Sequence, residues 1–313
     1  MSSPTTIVFG PTGHVGSAAA ITAAELGAKV VLALRDTQKP IPGITADQEK
    51  SGSFERVHAD LTKPDTIEAA VRTTGAKHAF IYLTYGSPDH MRGTIEALKA
   101  SGIEFVVFLS SFGVHGDLRS IEQSNTVAYI HGQVEINLEE VFGADGYVAV
   151  RPAFFNTNAK WWAGMIREGE VKIAYPDSTF DWISPGDIGR IAGKLLVQGI
   201  QATSGAEDRN FIPLCGPKLV SQGDAMGIFG RAIGKDVKVT EVDEEEGTKI
   251  LIENGLPEFV AGPLVKSLAP ASGGSRQYDV GRYTEGSLNL KKYAGQVTSL
   301  EEWAVANKEV FGV

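Results

Sequence analysis

The stretch Thr6-Ile7-Val8-Phe9-Gly10-Pro11-Thr12-Gly13-His14-Val15-Gly16-Ser17 decides how the rest of the chain is read. A short β-forming run ends at Gly10, and residues 17–26 follow as an Ala-rich helix that Gly27 stops. Residues 29–34 form a second apolar run, so strand, glycine turn, helix and strand make one βαβ unit. Gly10, at the strand end, permits a tight turn. Gly13 lets backbone N–H groups approach a pyrophosphate, and Gly16 lets the helix pack close to the strand. The helix N-terminus adds its dipole and its unsatisfied amides, with Thr12, His14 and Val15 beside them. The spacing G-x-x-G-x-x-G is one residue wider at the front than the common dinucleotide fingerprint. Glycine turns also merely join a strand to a helix. Here the turn lies between a first strand and a first helix of a repeating βα pattern, which favours a dinucleotide turn.

Outward from this unit the alternation continues. Residues 54–59 read as a strand, 64–73 as a helix opened by Thr62, and 79–83 as a strand. A helix over 89–101 is ended by Gly102; then come a strand over 105–109, a helix over 128–141 and a strand over 147–150. This rhythm predicts an α/β fold with a Rossmann-type doubly wound parallel sheet. After Pro152 the pattern loosens. Residues 161–167 and 187–197 look helical, 171–174, 211–214 and 237–242 extended, and Ser221 caps a helix that Gly234 stops. Two helices flank Gly255-Leu256-Pro257, an exposed Gly/Ser-rich loop is expected at 270–275, and Ser299 caps a last helix. The expected division is a nucleotide domain over 1–155, completed by roughly 180–215, and a smaller mixed α+β C-terminal substrate lobe over 156–180 and 216–313.

Composition narrows the function. The chain has 313 residues, 42% hydrophobic and 21% charged, as ordinary globular proteins do. Cys215 is the only cysteine, which excludes a disulfide framework and a thiolate zinc site. His14, His58, His78, His90 and His115 are scattered, so no metal is expected. The net charge of −9, with no basic patch, argues against direct nucleic-acid binding and against a membrane surface. No secretory leader and no run of about 18 apolar residues is found, so a cytoplasmic protein is expected. Ser110-Ser111 lacks the G-x-S-x-G elbow, and the acidic run from Asp243 to Glu246 suits a helix start.

The second strand ends at Leu34-Arg35-Asp36, where the adenosine ribose is read in such folds. The Arg35 guanidinium can hold a ribose 2′-phosphate, with help from Lys39, which points to NADP (NADPH). The alternatives are a surface pair between Arg35 and Asp36, or Asp36 reading the ribose of NAD. Asp60 and Leu61 stand where an adenine would lie, and Leu83, Thr84, Tyr85 and Ser110-Ser111 line the same sheet edge. Phe154, Phe155, Trp161 and Trp162, with Tyr85, Phe112 and Asn158, are candidate walls of an apolar substrate pocket. Aromatics at helical spacing are equally candidates for the core.

The chain resembles the NmrA-like branch of the atypical short-chain dehydrogenases. The resemblance rests on the turn Gly10 to Gly16, on Arg35, and on Arg151-Pro152-Ala153-Phe154-Phe155-Asn156-Thr157-Asn158, similar to the family's R-P-x-x-F-x-x-N. Ser184-Pro185-Gly186-Asp187-Ile188-Gly189 is similar to its D-I-G helix start, and Leu214 to Ser221 to the opening of its second lobe. The resemblance implies that Pro152, Phe154 and Phe155 run past the nicotinamide. It also implies a reductase of quinones, enones or imines, a natural-product enzyme, or a redox-sensing regulator. The departure is the missing Y-x-x-x-K: four residues after Tyr129 stands Gln133. The family's K-x-x-x-E is matched by His131 and Glu135, with histidine in the lysine place. His131 is then the candidate ribose ligand or proton donor and Tyr129 the second candidate acid; the alternative is a polar helix residue. The expected function is hydride transfer between NADP and a hydrophobic small molecule bearing an enone, imine or carbonyl. A dinucleotide-sensing regulator with a protein partner, or a non-redox rearrangement enzyme, stays open beside it.

Overall fold

The computed structural model describes residues 3–203, 210–269 and 278–312. The N-terminal apolar run forms β1 (Thr6–Phe9), fully buried, and leads through the glycine turn into α1 (His14–Glu25). There follow β2 (Val30–Leu34), a one-turn α2 (Ala46–Gln48) held by a Thr45–Gln48 capping box, β3 (Phe54–His58) and α3 (Pro64–Thr74). Next come β4 (His78–Tyr82), α4 (Arg92–Ser101), β5 (Phe105–Leu109), α5 (Thr126–Phe142) and β6 (Tyr147–Pro152). A short excursion holds α6 (Ala163–Glu168), β7 (Glu170–Ala174) and β8 (Thr179–Phe180). The chain then returns through α7 (Pro185–Gln198) and β9 (Phe211–Leu214). It ends in β10 (Val220–Ser221), α8 (Gln222–Ala232), β11 (Lys238–Val242), α9 (Glu244–Glu253), α10 (Glu258–Leu268), α11 (Val280–Ala294) and α12 (Leu300–Ala306).

Contacts divide the chain into two compact units, 1–152 with 185–213 and 153–184 with 214–313. The first is the doubly wound sheet, in the order β3-β2-β1-β4-β5-β6-β9. Ile7 pairs in parallel with Val31 on one side and with Ala79 on the other. The strand order reverses beside β1, which opens the crevice where such sheets take ligands. Strands buried on both faces explain the unbroken apolar runs. On one face, α1 and α7 approach closely because Gly189 and Gly193 carry no Cβ. An added Cβ would stand 2.6 Å from Val15 O at the first and 2.7 Å from Ala19 O at the second.

The second unit pairs β7 with β11 in parallel and β8 with β10 antiparallel. Its core is aromatic. Phe154 stacks on Phe180 at 3.7 Å, and Trp182 meets Phe154 and Phe229 edge-on at 5.0 and 5.4 Å. The buried Asp181 carboxylate ties three segments together, accepting from Phe154 N–H at 2.8 Å, Gly216 N–H at 2.7 Å and the Tyr278 hydroxyl.

Three features differ from expectation. The helix expected from Asp89 starts at Arg92, because the Asp89 carboxylate accepts from the Met91 and Gly93 amides while His90 and Met91 adopt positive φ. The β8–β10 ladder is two residues long, too short for a periodic signal. α11 is hidden by its glycines, of which Gly286 is set by packing: a Cβ there would stand 2.7 Å from Cys215 Sγ. The loop expected at 270–275 lies outside the described residues.

Candidate functional site

At the carboxyl ends of β1 to β4 lies a cavity of about 790 Å³, within the usual size of small-molecule sites. Gly10, Pro11 and Thr12 line it from the turn, and Arg35, Asp36, Gln38 and Lys39 from the loop after β2. Asp60, Leu61 and Thr62 follow β3, while Tyr82, Leu83, Thr84 and Tyr85 close the side below β4. The cavity thus brings together Gly10, Thr12, Arg35, Asp60, Leu61, Leu83, Thr84 and Tyr85 from the sequence expectations. Gly13, His14 and Val15 stand beyond its lining, at the head of α1.

The turn is built for close approach to backbone. Gly10 has φ +66°, and the Gly13 N–H donates to its carbonyl at 3.0 Å. A Cβ on Gly10 would stand 2.5 Å from Tyr82 Cε1, and one on Gly16 would overlap Gly10 O. Gly13 caps α1 with no side-chain hydrogen bond, and the first turn holds no acidic residue. The first helical bond runs from Ser17 N–H to Gly13 O at 2.9 Å, so the His14, Val15 and Gly16 amides precede it and lack an intrahelical acceptor. Unclaimed amides and a positive dipole end fit a diphosphate.

At the tip of β2 the Arg35 side chain is exposed and forms no hydrogen bond or ion pair among the described residues. The surface pair with Asp36 is absent. Asp36 Oδ1 instead accepts the Gln38 N–H at 2.9 Å, and its carbonyl accepts the Lys39 N–H at 3.2 Å. Asp36 is therefore engaged in folding its own loop, and Arg35 stands as an uncommitted cation at the cavity edge. Burial pushes the Asp60 carboxyl up, but Thr62 hydrogen bonds and the Arg35 and Lys63 charges together hold it below its ordinary range. Burial raises the Tyr82 phenol, which Arg35 also reaches electrostatically. Sequence reasoning missed Tyr82. The β1–β4 register pairs Val8 with Phe80, and extending it two residues sets Gly10 beside Tyr82, a signal that exists only once the strand order is known.

His131 and Tyr129 lie on α5, away from the cavity lining. Burial depresses the imidazole pKa to about 4, so the ring is neutral near pH 7. Nδ1 lies 2.7 Å from Val127 O, which can only accept; Nδ1 therefore carries the proton and Nε2 is an acceptor. In this state the ring holds no proton on Nε2 to donate. The Tyr129 hydroxyl accepts from Gln123 Nε2 at 3.3 Å, with His90 edge-on at 5.7 Å. Glu135 is committed elsewhere. It accepts from Arg151 Nε at 3.0 Å and Nη2 at 2.5 Å and from Ser110 Oγ at 2.5 Å, all buried, with Arg151 lying 3.8 Å over the Phe211 ring. The second residue of the x-x-x-E spacing is thus a structural anchor for β6.

Among the other expected residues, Phe112 donates its N–H to Pro152 O at 2.9 Å. Phe155 forms a lone bridge with Ile183, and Asn158 donates its N–H to Phe155 O at 3.0 Å. Trp161 and Trp162, expected as pocket walls, are buried in the aromatic core of the second unit together with Phe154, edge-on to one another at 5.8 Å. Their ring area finds more apolar contact there than on an open wall. Among the described residues no helix is long and apolar enough to cross a membrane.

The family model described as "NmrA-like family" matches residues 2–304. The nitrogen metabolite regulation-like protein bik4 of Gibberella fujikuroi is 39% identical over 277 residues, covering 84% of each chain. Among solved structures, Citrobacter sp. triphenylmethane reductase complexed with NADP(H) superposes with a TM-score of 0.71 at 16% identity, covering 97% of this chain and 100% of the other. NmrA, a negative transcriptional regulator, in complex with NADP, gives 0.64 at 18% identity, covering 100% and 99%. At such identities the two superpositions show a common fold.

Proposed function

The chain belongs to the NmrA-like family, and from that premise we propose that it is an NADP(H)-dependent oxidoreductase acting on a hydrophobic small molecule. The observation that carries the cofactor reading is Arg35, a guanidinium without hydrogen bond or ion pair among the described residues, at the edge of a cavity that the glycine turn also lines. Gly10, Thr12 and the amides of His14, Val15 and Gly16 hold the diphosphate. Arg35, with Lys39, holds the ribose 2′-phosphate, and Asp60 and Leu61 border the adenine. The bound dinucleotide supplies a hydride; the chain's residues bind and orient it. His131, outside that adenosine cavity and neutral near pH 7, would offer Nε2 as an acceptor to a hydroxyl of the nicotinamide ribose rather than a proton. A substrate that needs no protein acid, or takes its proton from water, fits this arrangement.

A second reading is favoured by one observation. The α5 residues that carry proton transfer in related enzymes are here a neutral histidine, a tyrosine without its lysine, and a glutamate locked to Arg151. A regulator that binds dinucleotide and consumes none has the same requirements. The readings separate in one experiment, in which NADPH and a panel of enones, imines and quinones are followed by the near-ultraviolet absorbance of the reduced nicotinamide. A reductase loses that absorbance with at least one acceptor. No loss with any acceptor, alongside distinct affinities for NADP⁺ and NADPH, reverses the assignment in favour of the regulator.

A further inference from the structure

Behind the loop that presents Arg35 lies a side chain the cofactor reading does not use. Arg56, on β3, is mostly buried, and four of its contacts run in two directions. Its Nε and Nη2 donate to Glu49 Oε2 and Oε1, each at 2.7 Å, a two-pronged carboxylate pairing. Its Nη1 donates to Thr37 O at 2.7 Å and to Lys39 O at 2.8 Å. Thr37 and Lys39 bracket Gln38 in the loop whose Arg35, Asp36, Gln38 and Lys39 line the cavity. Arg56 itself is not part of that lining.

We infer that Arg56, set by Glu49, is a positioning residue for cofactor selectivity: it fixes the 35–40 loop so that its cationic groups meet a ribose 2′-phosphate. This inference rests on the NADP reading above. The physical argument has two parts. A short exposed loop carrying Arg35 and Lys39 binds a phosphate well only if its backbone is fixed beforehand, since ordering it during binding costs affinity. Asp36 closes the loop from within through the Gln38 amide, and Arg56 holds it from behind through two carbonyl oxygens. Those oxygens carry partial negative charge that would oppose a dianionic phosphate; bonded to a guanidinium, they are oriented and neutralised. Glu49 balances the Arg56 charge, so the clamp adds order rather than a further phosphate cation. Only a ligand with a 2′-phosphate depends on this order. A lysine in its place keeps the charge but lacks the fork that reaches a carboxylate and two carbonyls at once.

The test is the ratio of NADPH to NADH dissociation constants by fluorescence titration, for the full chain and for Arg56→Lys and Glu49→Gln. Taking both ligands on one sample cancels the fraction of protein that is folded. The expected result is a roughly tenfold loss of NADPH affinity in Arg56→Lys, with NADH changed by less than about twofold, and a smaller shift of the same sign in Glu49→Gln. A ratio equal to wild type in Arg56→Lys, or in Glu49→Gln should the first variant not fold, overturns the inference while leaving the NADP reading standing. Equal loss of both ligands also overturns it, since that is what a purely structural ion pair produces. A wild-type chain without NADPH preference overturns both.

Discussion

In the first unit glycines let backbone come close to backbone: Gly16 under Gly10 O, Gly189 near Val15 O, Gly193 near Ala19 O. In the second unit the core packs ring against ring, from Phe154 and Phe180 through Trp182 to Phe229, Trp303 and Phe311. The first arrangement leaves a cation at a cavity edge and unclaimed amides at the head of α1; the second uses its polar groups, Asp181 above all, to fasten segments together. Each unit also buries titratable groups, and two of them, His131 in the first and Asp181 in the second, are shifted with opposite consequences. Polar groups turned toward a cavity point to binding, and polar groups fastened inside a core point to stability.

The largest effect expected within this contrast comes from the buried ion pair of the first unit. Glu135→Gln leaves the Arg151 guanidinium buried without its counter-charge and should cost about 3–5 kcal/mol, read as a lower urea midpoint at unchanged slope. A loss below about 1 kcal/mol would mean that the pair is solvated and does not anchor β6.

Acid titration is the next way to sharpen the comparison. His131 has a folded pKa of about 4 against an ordinary 6.5, so its contribution is present above pH 6.5 and is lost as pH falls toward 4, by up to about 3 kcal/mol. Burial raises the Asp181 carboxyl to about 6 from 3.8, against the hydrogen bonds from Tyr278, Gly216 and Phe154 that lower it. The folded state then holds the extra proton, so stability is lost as pH rises from about 4 to 6, by a similar amount. The two contributions oppose each other. Relative to wild type, Asp181→Asn should gain stability as pH rises through that window, and His131→Asn should gain it as pH falls. Urea midpoints against pH check both, and parallel curves for variant and wild type contradict the assigned shifts.

Much of the first unit was legible in the sequence because a parallel strand buried on both faces is a plain apolar run and because glycines mark its turns. Gly10, Thr12, Arg35, Asp60 and Leu61 were named from strand-end position alone, and they line one cavity. Tyr82 and Arg56 were not, because their roles follow from which strands are neighbours. In the second unit the aromatic residues were visible, but their side was not: spacing cannot distinguish a wall from a core, and Trp161 and Trp162 proved to be core. For His131 the residue type gave the ordinary imidazole range, whereas its burial, which lowers the pKa to about 4, follows only from the packing of α5.

A smaller effect, about 1–3 kcal/mol of overpacking in each, separates the units by function. Gly16→Ala crowds Gly10 O and should abolish dinucleotide binding along with its loss of stability. Gly216→Ala crowds Asp181 O in the second unit and should lower the thermal midpoint while leaving affinity for an adenosine fragment unchanged. Loss of fragment binding in both variants would break the distinction.

The most direct measurement is calorimetric titration of the full chain with adenosine 2′,5′-bisphosphate and with adenosine 5′-monophosphate, ligands that occupy only the adenosine half of the cavity. The bisphosphate should bind at least about tenfold more tightly, and Arg35→Ala should bring the two affinities together. Equal affinities in the wild-type chain, or a preference that survives Arg35→Ala, would contradict the account.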